Sequence, residues 1–138
     1  MNIFLKCYNM KKEDKELLLK DICARLPYKL VCKVKYRENG EYKISNMVLD
    51  GIFRDDAYFI SQNGTVYSSD YKPYLFPVSN MTEEQIEEYA HILVMCGTLE
   101  SSQLMRMTVE DWFNKNHLDF RGLIPMGLAL DATDLNIY

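Results

Sequence analysis

His117, Asp119 and Arg121 form the one local group of residues whose types and spacing could support catalysis. A histidine and a carboxylate two residues apart can act as a general base and the group that orients it. No nucleophile with a recognisable surrounding motif accompanies them in the sequence. The alternative is structural: an ion pair between Asp119 and Arg121 at a helix exit, with His117 near the helix C-terminus, where the dipole favours a cation. We favour the structural interpretation and keep a small enzyme with a site here as an alternative.

A second group of candidate residues is basic and lies mostly in a segment where apolar and polar residues alternate: Lys33, Lys35, Arg37, Lys43 and Tyr28. Cations on one face of a hairpin can bind phosphates, and a neighbouring tyrosine can stack on a base. Lysines on a sheet surface also protect strands from edge-to-edge aggregation. Nucleic-acid binding through this face is therefore an alternative function. The acidic stretch from Glu83 to Glu88 could instead meet a basic partner.

Other kinds of site are disfavoured by spacing. Gly122 and Gly127 are spaced like the glycines of a phosphate-binding loop, but Leu128 and Ala129 follow where that loop needs Lys and Ser or Thr. The sequence has no HExxH, CxxC or calcium-loop pattern, so we expect no metal and no cofactor. Cys23 and Cys32 lie among apolar neighbours, which predicts buried free thiols, and His91 is expected to pack within a helix.

Composition places the chain among ordinary globular proteins. It has 138 residues, 48% of them hydrophobic and 26% charged, which suits one domain spanning residues 1–138. The apolar run at the N-terminus is broken at Lys6 and is too short for a secretory or membrane-spanning segment, so we expect a cytoplasmic protein without membrane contact. Residues 1–43 carry a net charge of +5 and residues 44–138 a net charge of −9, counted from the sequence. This asymmetry favours a binding function.

The elements that must position these residues begin with a helix. Leu18, Ile22 and Leu26 recur at helical spacing, and Pro27 predicts that the helix ends near Arg25. Strands are expected at 28–37, 41–53, 57–62 and 65–70, in an antiparallel meander. Asn39 and Gly40 mark the first hairpin turn.

The register of that hairpin is predicted from its apolar pattern. A two-residue Asn39–Gly40 turn would pair Val34 with Ser45, which mixes apolar and polar faces. A three-residue loop ending at Gly40 separates the faces, because it pairs Val34 with Ile44. That register also places Lys43 opposite Lys35 on the outer face. We therefore predict the three-residue loop.

The rest of the chain is expected to contain a connector and two more helices. Pro73 and Pro77 exclude a central strand between residues 71 and 80, so we expect an extended connector there. Thr82 and Gln85 predict a capped helix that runs to about Met95, and Thr108 predicts the cap of a third helix that runs to about Asn116. The nearly uncharged stretch from Asp119 to Leu130 is expected to be buried against the domain.

Two segments, YKPYLFPVSNMTEEQ and WFNKNHLDFRGLIPMGLALDA, resemble a set of small uncharacterised proteins of bacteriophages and prophages of gut Bacteroides and relatives. The similarity covers about the C-terminal half, at Lys72 to Leu75, Met81 to Glu84, Asp119, Arg121 to Ile124 and Gly127 to Leu130, with Trp112, Asn116 and His117. It implies a phage-associated origin and no particular activity.

Together these patterns predict an α+β fold, with a four-stranded antiparallel meander and three helices packed mainly on one face. The expected function is that of a small non-enzymatic binding protein that acts on a host or phage macromolecule. The expected partner is a protein, with nucleic acid as the alternative.

Overall fold

The computed structural model of the chain describes residues 10–54, 56–96 and 102–138. Within those ranges it is an α+β structure with three helices: α1 (Lys12–Arg25), α2 (Glu83–Cys96) and α3 (Ser102–Lys115). The strands are β1 (Val31–Glu38), β2 (Glu41–Phe53), β3 (Asp56–Ser61), β4 (Gly64–Ser68), β5 (Asp70–Leu75) and β6 (Leu130–Asp131). They form one sheet in the order β4-β3-β2-β1-β5-β6. The predicted class is confirmed, but the sheet has six strands and is mixed, because β6 pairs with β5 in parallel.

The β1–β2 hairpin uses the two-residue turn, so the predicted three-residue loop is wrong. Glu38 pairs with Glu41, and Val34 pairs with Ser45. The turn residues Asn39 and Gly40 both have positive φ, at 52° and 81°, as a two-residue turn of this twist requires. The prediction failed because residues 41–46 are exposed on both faces, so burial does not constrain the register at this end of the hairpin.

The sheet curls, because β4 and β5 together act as one bent strand. β4 pairs with β3, whereas β5 pairs with β1 on the far side of the sheet. At the bend, the Ser68 hydroxyl donates to the carbonyl of Lys35 in β1 at 2.6 Å. The rings of Phe59 and Tyr71 meet across the interior with centroids 5.5 Å apart. The concave face of the sheet therefore encloses much of the core.

β5 contains Pro73 and lies between β1 and β6, so the prediction of a connector without a central strand is wrong. The amide of Leu49 donates to the carbonyl of Leu30, which fixes the alternation of hydrogen-bonded pairs along β1. By that alternation Lys33 exchanges hydrogen bonds with Lys72, and the pair of Cys32 with Pro73 is not hydrogen-bonded. The proline nitrogen therefore faces away from β1, on a side that β6 covers only from Tyr74 onward.

The core lies between the concave face of the sheet, α1 and the C-terminal segment. Leu18 and Ile22 of α1 are buried there, and α1 ends at Arg25 as predicted. Leu123, Leu128 and Ala129 are also buried, and Ile124 and Leu130 are half-buried, so the predicted burial of this stretch is confirmed in part. Its predicted burial fails at Met126, which is 44% exposed. The same stretch supplies β6, a strand that alternation alone did not reveal because it has only two residues.

The two later helices pack on each other through aromatic side chains. Tyr89 of α2 contacts Trp112 and Phe113 of α3, with centroids 5.5 and 5.4 Å apart. The predicted capping box is confirmed, because the Thr82 and Gln85 side chains accept each other's backbone amides at 3.1 and 3.0 Å. The predicted start of the third helix is wrong.

That helix begins at Ser102, so Thr108 lies inside it rather than at its cap. No residue between Ser102 and Thr108 is a glycine or proline, and nothing in the local sequence interrupts the helix there. Two smaller expectations of burial also fail, because Cys23 and His91 are exposed. Cys32 is buried, as expected, and its burial raises the pKa of the thiol well above the ordinary value.

Candidate interaction surface

The outer side of the β1–β2 hairpin carries basic and apolar side chains together. In the observed register Arg37 lies beside Tyr42, and Lys35 lies beside Ile44. Tyr42 is 65% exposed and Ile44 is 52% exposed, although both are large and partly or wholly apolar. We call this set the hairpin surface: Lys33, Lys35, Arg37, Tyr42 and Ile44. Exposed apolar residues grouped in this way are typical of interaction sites.

Two cations of the hairpin surface converge on one aromatic ring. The Lys35 Nζ atom lies 4.9 Å from the centroid of the Tyr42 ring, and the Arg37 Cζ atom lies 5.3 Å from it. These distances are within the range of cation–π attraction. Two cationic side chains of β1 therefore lie close to an aromatic ring of β2.

The apolar character of the hairpin surface continues onto the next two strands. Ile60 of β3 is 53% exposed and Tyr67 of β4 is 68% exposed. Tyr67 and Tyr58 are adjacent, with ring centroids 5.6 Å apart. By the pairing register, all three of these side chains lie on the same side of the sheet as Tyr42 and Ile44.

The structure separates the five residues predicted to bind nucleic acid. Lys33, Lys35 and Arg37 share the hairpin surface, but Lys43 pairs with Tyr36 and so lies on the opposite side of the sheet. There its Nζ atom is 3.6 Å from a carboxylate oxygen of Glu38. The predicted position of Lys43 opposite Lys35 is wrong, because a register shift of one residue moves every side chain of the strand to the other face.

Tyr28 is also remote from the hairpin surface. It lies in the short 3₁₀ turn Leu26–Tyr28, and its hydroxyl donates to Asp111 of α3 at 2.5 Å. This hydrogen bond to the carboxylate raises the pKa of the tyrosine. Sequence reasoning missed Tyr42 and Ile44 as members of the surface, and only the correct register would have revealed them.

An open groove of 460 Å³ lies beside the hairpin surface. Its walls come from β2, from β1, from the end of β3 and from the loop that follows it: Tyr36, Glu38, Ser45, Asn46, Met47, Ile60, Ser61, Gln62 and Asn63. The groove exists because β3 accompanies β2 only from Val48 onward, while β2 itself extends back to Glu41.

The three residues of the predicted catalytic cluster are held by different partners. The carboxylate oxygens of Asp119 accept the backbone amides of Leu123 and Ile124, both at 2.8 Å. Arg121 forms an ion pair with Asp21 of α1, with 2.6 Å between Nη1 and the carboxylate oxygen, rather than the predicted pair with Asp119. Both side chains serve to fix the path of the C-terminal segment.

Asp21 is the centre of a buried polar network that the sequence analysis did not identify. Besides the bond from Arg121, its two carboxylate oxygens share the single N–H of Arg25 Nε, each at 3.0 Å. Arg25 is fully buried and also donates to the carbonyl of Leu118 at 2.7 Å. Its burial lowers the pKa of the guanidinium, and the neighbouring Asp21 opposes that effect. The only sequence signal was an acid and an arginine four residues apart on a helix, which is also common on exposed helix faces.

His117 occupies an unusual position at the end of α3. The helix closes with two backbone hydrogen bonds, from Leu118 to Phe113 and from His117 to Asn114, and His117 has a φ of 56°. This is the helix-ending motif in which glycine is the usual residue at the left-handed position. Burial and the nearby Arg25 lower the His117 pKa to about 4. Its Nδ1 atom is buried and has no hydrogen-bond partner among the described residues.

The imidazole of His117 stacks on Tyr138, with centroids 3.7 Å apart and planes inclined by 11°. Although Tyr138 is 46% exposed overall, its hydroxyl donates to the carbonyl of Tyr74 at 2.8 Å and accepts the amide of Val31 at 3.0 Å. Burial of the hydroxyl raises the pKa of Tyr138. His117 therefore joins the end of α3 to the last residue of the chain.

Among the acidic residues of α2, Glu88 has a structural partner, since its carboxylate accepts the indole N–H of Trp112 at 2.9 Å. Glu83, Glu84 and Glu87 are exposed. In the described part of the chain, no three His, Cys, Asp or Glu residues are placed to hold a metal ion. No helix within the described ranges is long and apolar enough to cross a membrane.

Comparisons of the chain with models of protein families, with curated proteins and with solved structures gave no match.

Proposed function

We propose that this is a small non-enzymatic binding protein, encoded by a phage or prophage, that uses the hairpin surface to bind a protein partner. The observation that carries the proposal is the exposure of Tyr42 and Ile44 within a cluster of cations. Tyrosine and arginine are enriched at the energetic centres of protein interfaces, where each supplies a large contact area together with polar groups.

The charge of the hairpin surface indicates the kind of partner. Lys33, Lys35 and Arg37 lie on the same side of the sheet, in a protein whose overall net charge is −4. A partner that presents an apolar patch rimmed by carboxylates would complement this surface, and opposite charges would accelerate the encounter. The resemblance of the C-terminal half of this chain to phage and prophage proteins would place that partner among host or phage macromolecules.

Capture of binding partners with matched variants tests the proposal. Ile44→Asp places a charge at the centre of the hairpin surface, and Ile86→Asp does the same at a similarly exposed site on α2, where Ile86 is 51% exposed. After cross-linking in a bacterial host lysate, we expect one protein to be recovered with the wild type and with Ile86→Asp but lost with Ile44→Asp. Recovery of the same proteins with all three chains, or of none, would contradict it.

Single-stranded nucleic acid is a second candidate ligand, since cations surround an exposed aromatic ring on the hairpin surface. Tyr42 could stack on a base while Lys33 and Lys35 contact phosphates. A labelled single-stranded oligonucleotide should then bind with strong salt dependence, and Lys33→Glu with Lys35→Glu should weaken that binding. Lys43→Glu is the control, because Lys43 lies on the opposite side of the sheet. An affinity that is the same in all these chains would exclude this function.

A further inference from the structure

The first half of β2 has a strand on one side only. β2 pairs with β1 from Glu41 to Val48, but it pairs with β3 only from Val48 onward. β3 ends at Ser61 and the chain turns back into β4. In the described part of the chain, residues 41–47 therefore form an open edge next to the groove. All side chains from 41 to 46 are exposed.

The register shows which backbone groups face that open edge. In an antiparallel pair, residues alternate between those that exchange hydrogen bonds with the partner strand and those whose backbone groups point away. Leu49 is hydrogen-bonded to Leu30 of the neighbouring chain segment, at 2.8 Å, so by alternation residues 41, 43, 45 and 47 bond toward β1. The N–H and C=O groups of Tyr42, Ile44 and Asn46 consequently point toward the open edge.

The surroundings of this edge suit an extended peptide. On the outer side, the side chains of Tyr42 and Ile44 offer apolar contact, and the Arg37 guanidinium lies over the Tyr42 ring. On the other side, the groove of 460 Å³ has room for the alternate side chains of an added strand. Such a strand would continue the line of β3 beyond Ser61. A carboxylate next to Tyr42 would be close to the cation of Arg37.

We propose that an extended segment of a partner protein, with an acidic side chain beside Tyr42, adds to β2 as an extra strand and pairs with Tyr42, Ile44 and Asn46. Backbone hydrogen bonds supply affinity in this mode of recognition, and pockets for alternate side chains supply specificity. The inference rests on the proposed function, and it specifies how the hairpin surface and the groove are used together.

The test uses a displayed library of random dodecapeptides selected on the full chain, followed by titration of a selected peptide into isotope-labelled protein. We expect the amide hydrogens of Tyr42, Ile44 and Asn46 to exchange more slowly in the complex, and the selected peptides to carry an acidic residue. Ile44→Pro removes one donor that faces the edge and should weaken binding by about tenfold or more. Ile44→Ala retains that donor and should weaken binding less.

Proline at this position also tests the register without any ligand. Its missing N–H faces the open edge, so Ile44→Pro should retain the wild-type fold, whereas Ser45→Pro removes the amide that bonds to Val34 and should lower the melting temperature. If Ile44→Pro unfolds the hairpin, Asn46→Pro serves as the replacement, because its amide faces the same way. Asn46→Ala is its control, since both substitutions remove the side-chain oxygen that accepts the Tyr74 hydroxyl at 2.9 Å.

Other outcomes separate this inference from the proposed function. If no peptide is selected, or if the protected amides lie elsewhere, strand addition is overturned. The proposed function would still stand in that case if Ile44→Asp abolishes capture of the partner. Self-association that Ile44→Pro abolishes would show that a second copy occupies the edge and would overturn the peptide as occupant. Binding of a single-stranded oligonucleotide that protects the same amides would overturn it as well. Unchanged partner capture by Ile44→Asp would overturn the proposed function itself.

Discussion

His117 is expected to make folding stability depend on pH between neutral and mildly acidic conditions. Its pKa is lowered to about 4 in the folded protein, whereas an unfolded chain has a histidine pKa of about 6.5. As the pH falls, the unfolded state therefore takes up a proton first. Full stability is present above about pH 6.5, it falls as protons bind the unfolded state, and the loss is complete below about pH 4. Asp21 and Asp119 hold Arg25 and the backbone in place, so neither of these two carboxylates can move onto the histidine without breaking those bonds.

The magnitude follows from the difference between the two pKa values. Proton linkage gives a loss of about 2 kcal/mol in the free energy of unfolding between about pH 7 and about pH 5, and roughly 3 kcal/mol at the low-pH limit. His117→Asn removes the titration and tolerates the left-handed backbone conformation. The chain has one other histidine, His91, which is exposed on α2, so His91→Asn is the matched control.

Urea denaturation of the three chains across this pH range measures the effect. The wild type and His91→Asn should lose stability about equally on acidification, and His117→Asn should lose about 2 kcal/mol less. Carboxylates contribute equally to all three chains, so the comparison isolates the histidine. Parallel pH profiles for all three would refute the reasoning, as would an NMR titration that places the His117 pKa near its ordinary value.

Two further predictions concern the buried network and the helix caps. Asp21→Ala should destabilise the protein by about 3–5 kcal/mol in urea denaturation, because it leaves Arg25 buried without its partner. Glu16→Ala is the control and should cost less than about 0.5 kcal/mol, because the Glu16 side chain is 65% exposed. Equal losses of stability in the two variants would contradict the importance of burial. Thr82→Ala should lower the free energy of unfolding by about 1 kcal/mol, since it removes a cap, and Thr108→Ala should not lower it by this mechanism because Thr108 lies inside α3. An unchanged stability of Thr82→Ala would contradict the capping role.

Features determined by neighbouring residues were the ones that could be predicted from sequence. The capping box of Thr82 and Gln85 and the end of α1 near Arg25 depend on contacts within a few residues, and both are confirmed. Burial of the late apolar stretch followed from composition, since Leu123 and Leu128 have few alternatives to the core. The third helix shows the limit of such reasoning. A threonine followed by acidic residues has the pattern of a helix start, but a helix already in progress can include the same residues.

Features that depend on distant segments could not be predicted in this way. The partners of Asp21 lie beside it in space but include Arg121, far along the chain, and nothing local distinguishes this acid from others on α1. Pro73 predicts that no central strand runs here, because proline lacks an amide hydrogen. The strand forms because that nitrogen faces away from β1, which depends on the register between β5 and the distant β1, and because β6 pairs with β5 only from Tyr74 onward.

The candidate surface was predicted only in part, because the predicted register between β1 and β2 differs from the observed one by one residue. The prediction assumed that apolar residues of both hairpin strands must share a buried face, so it placed Ile44 inward beside Val34 and Lys43 outward beside Lys35. The hairpin extends past the core, where no burial supports that assumption, and the preference of Asn39 and Gly40 for a two-residue turn decides the register instead. The result leaves Ile44 and Tyr42 exposed among cations. The exposure of these side chains beside an open strand edge supports the proposal that this end of the sheet binds another molecule.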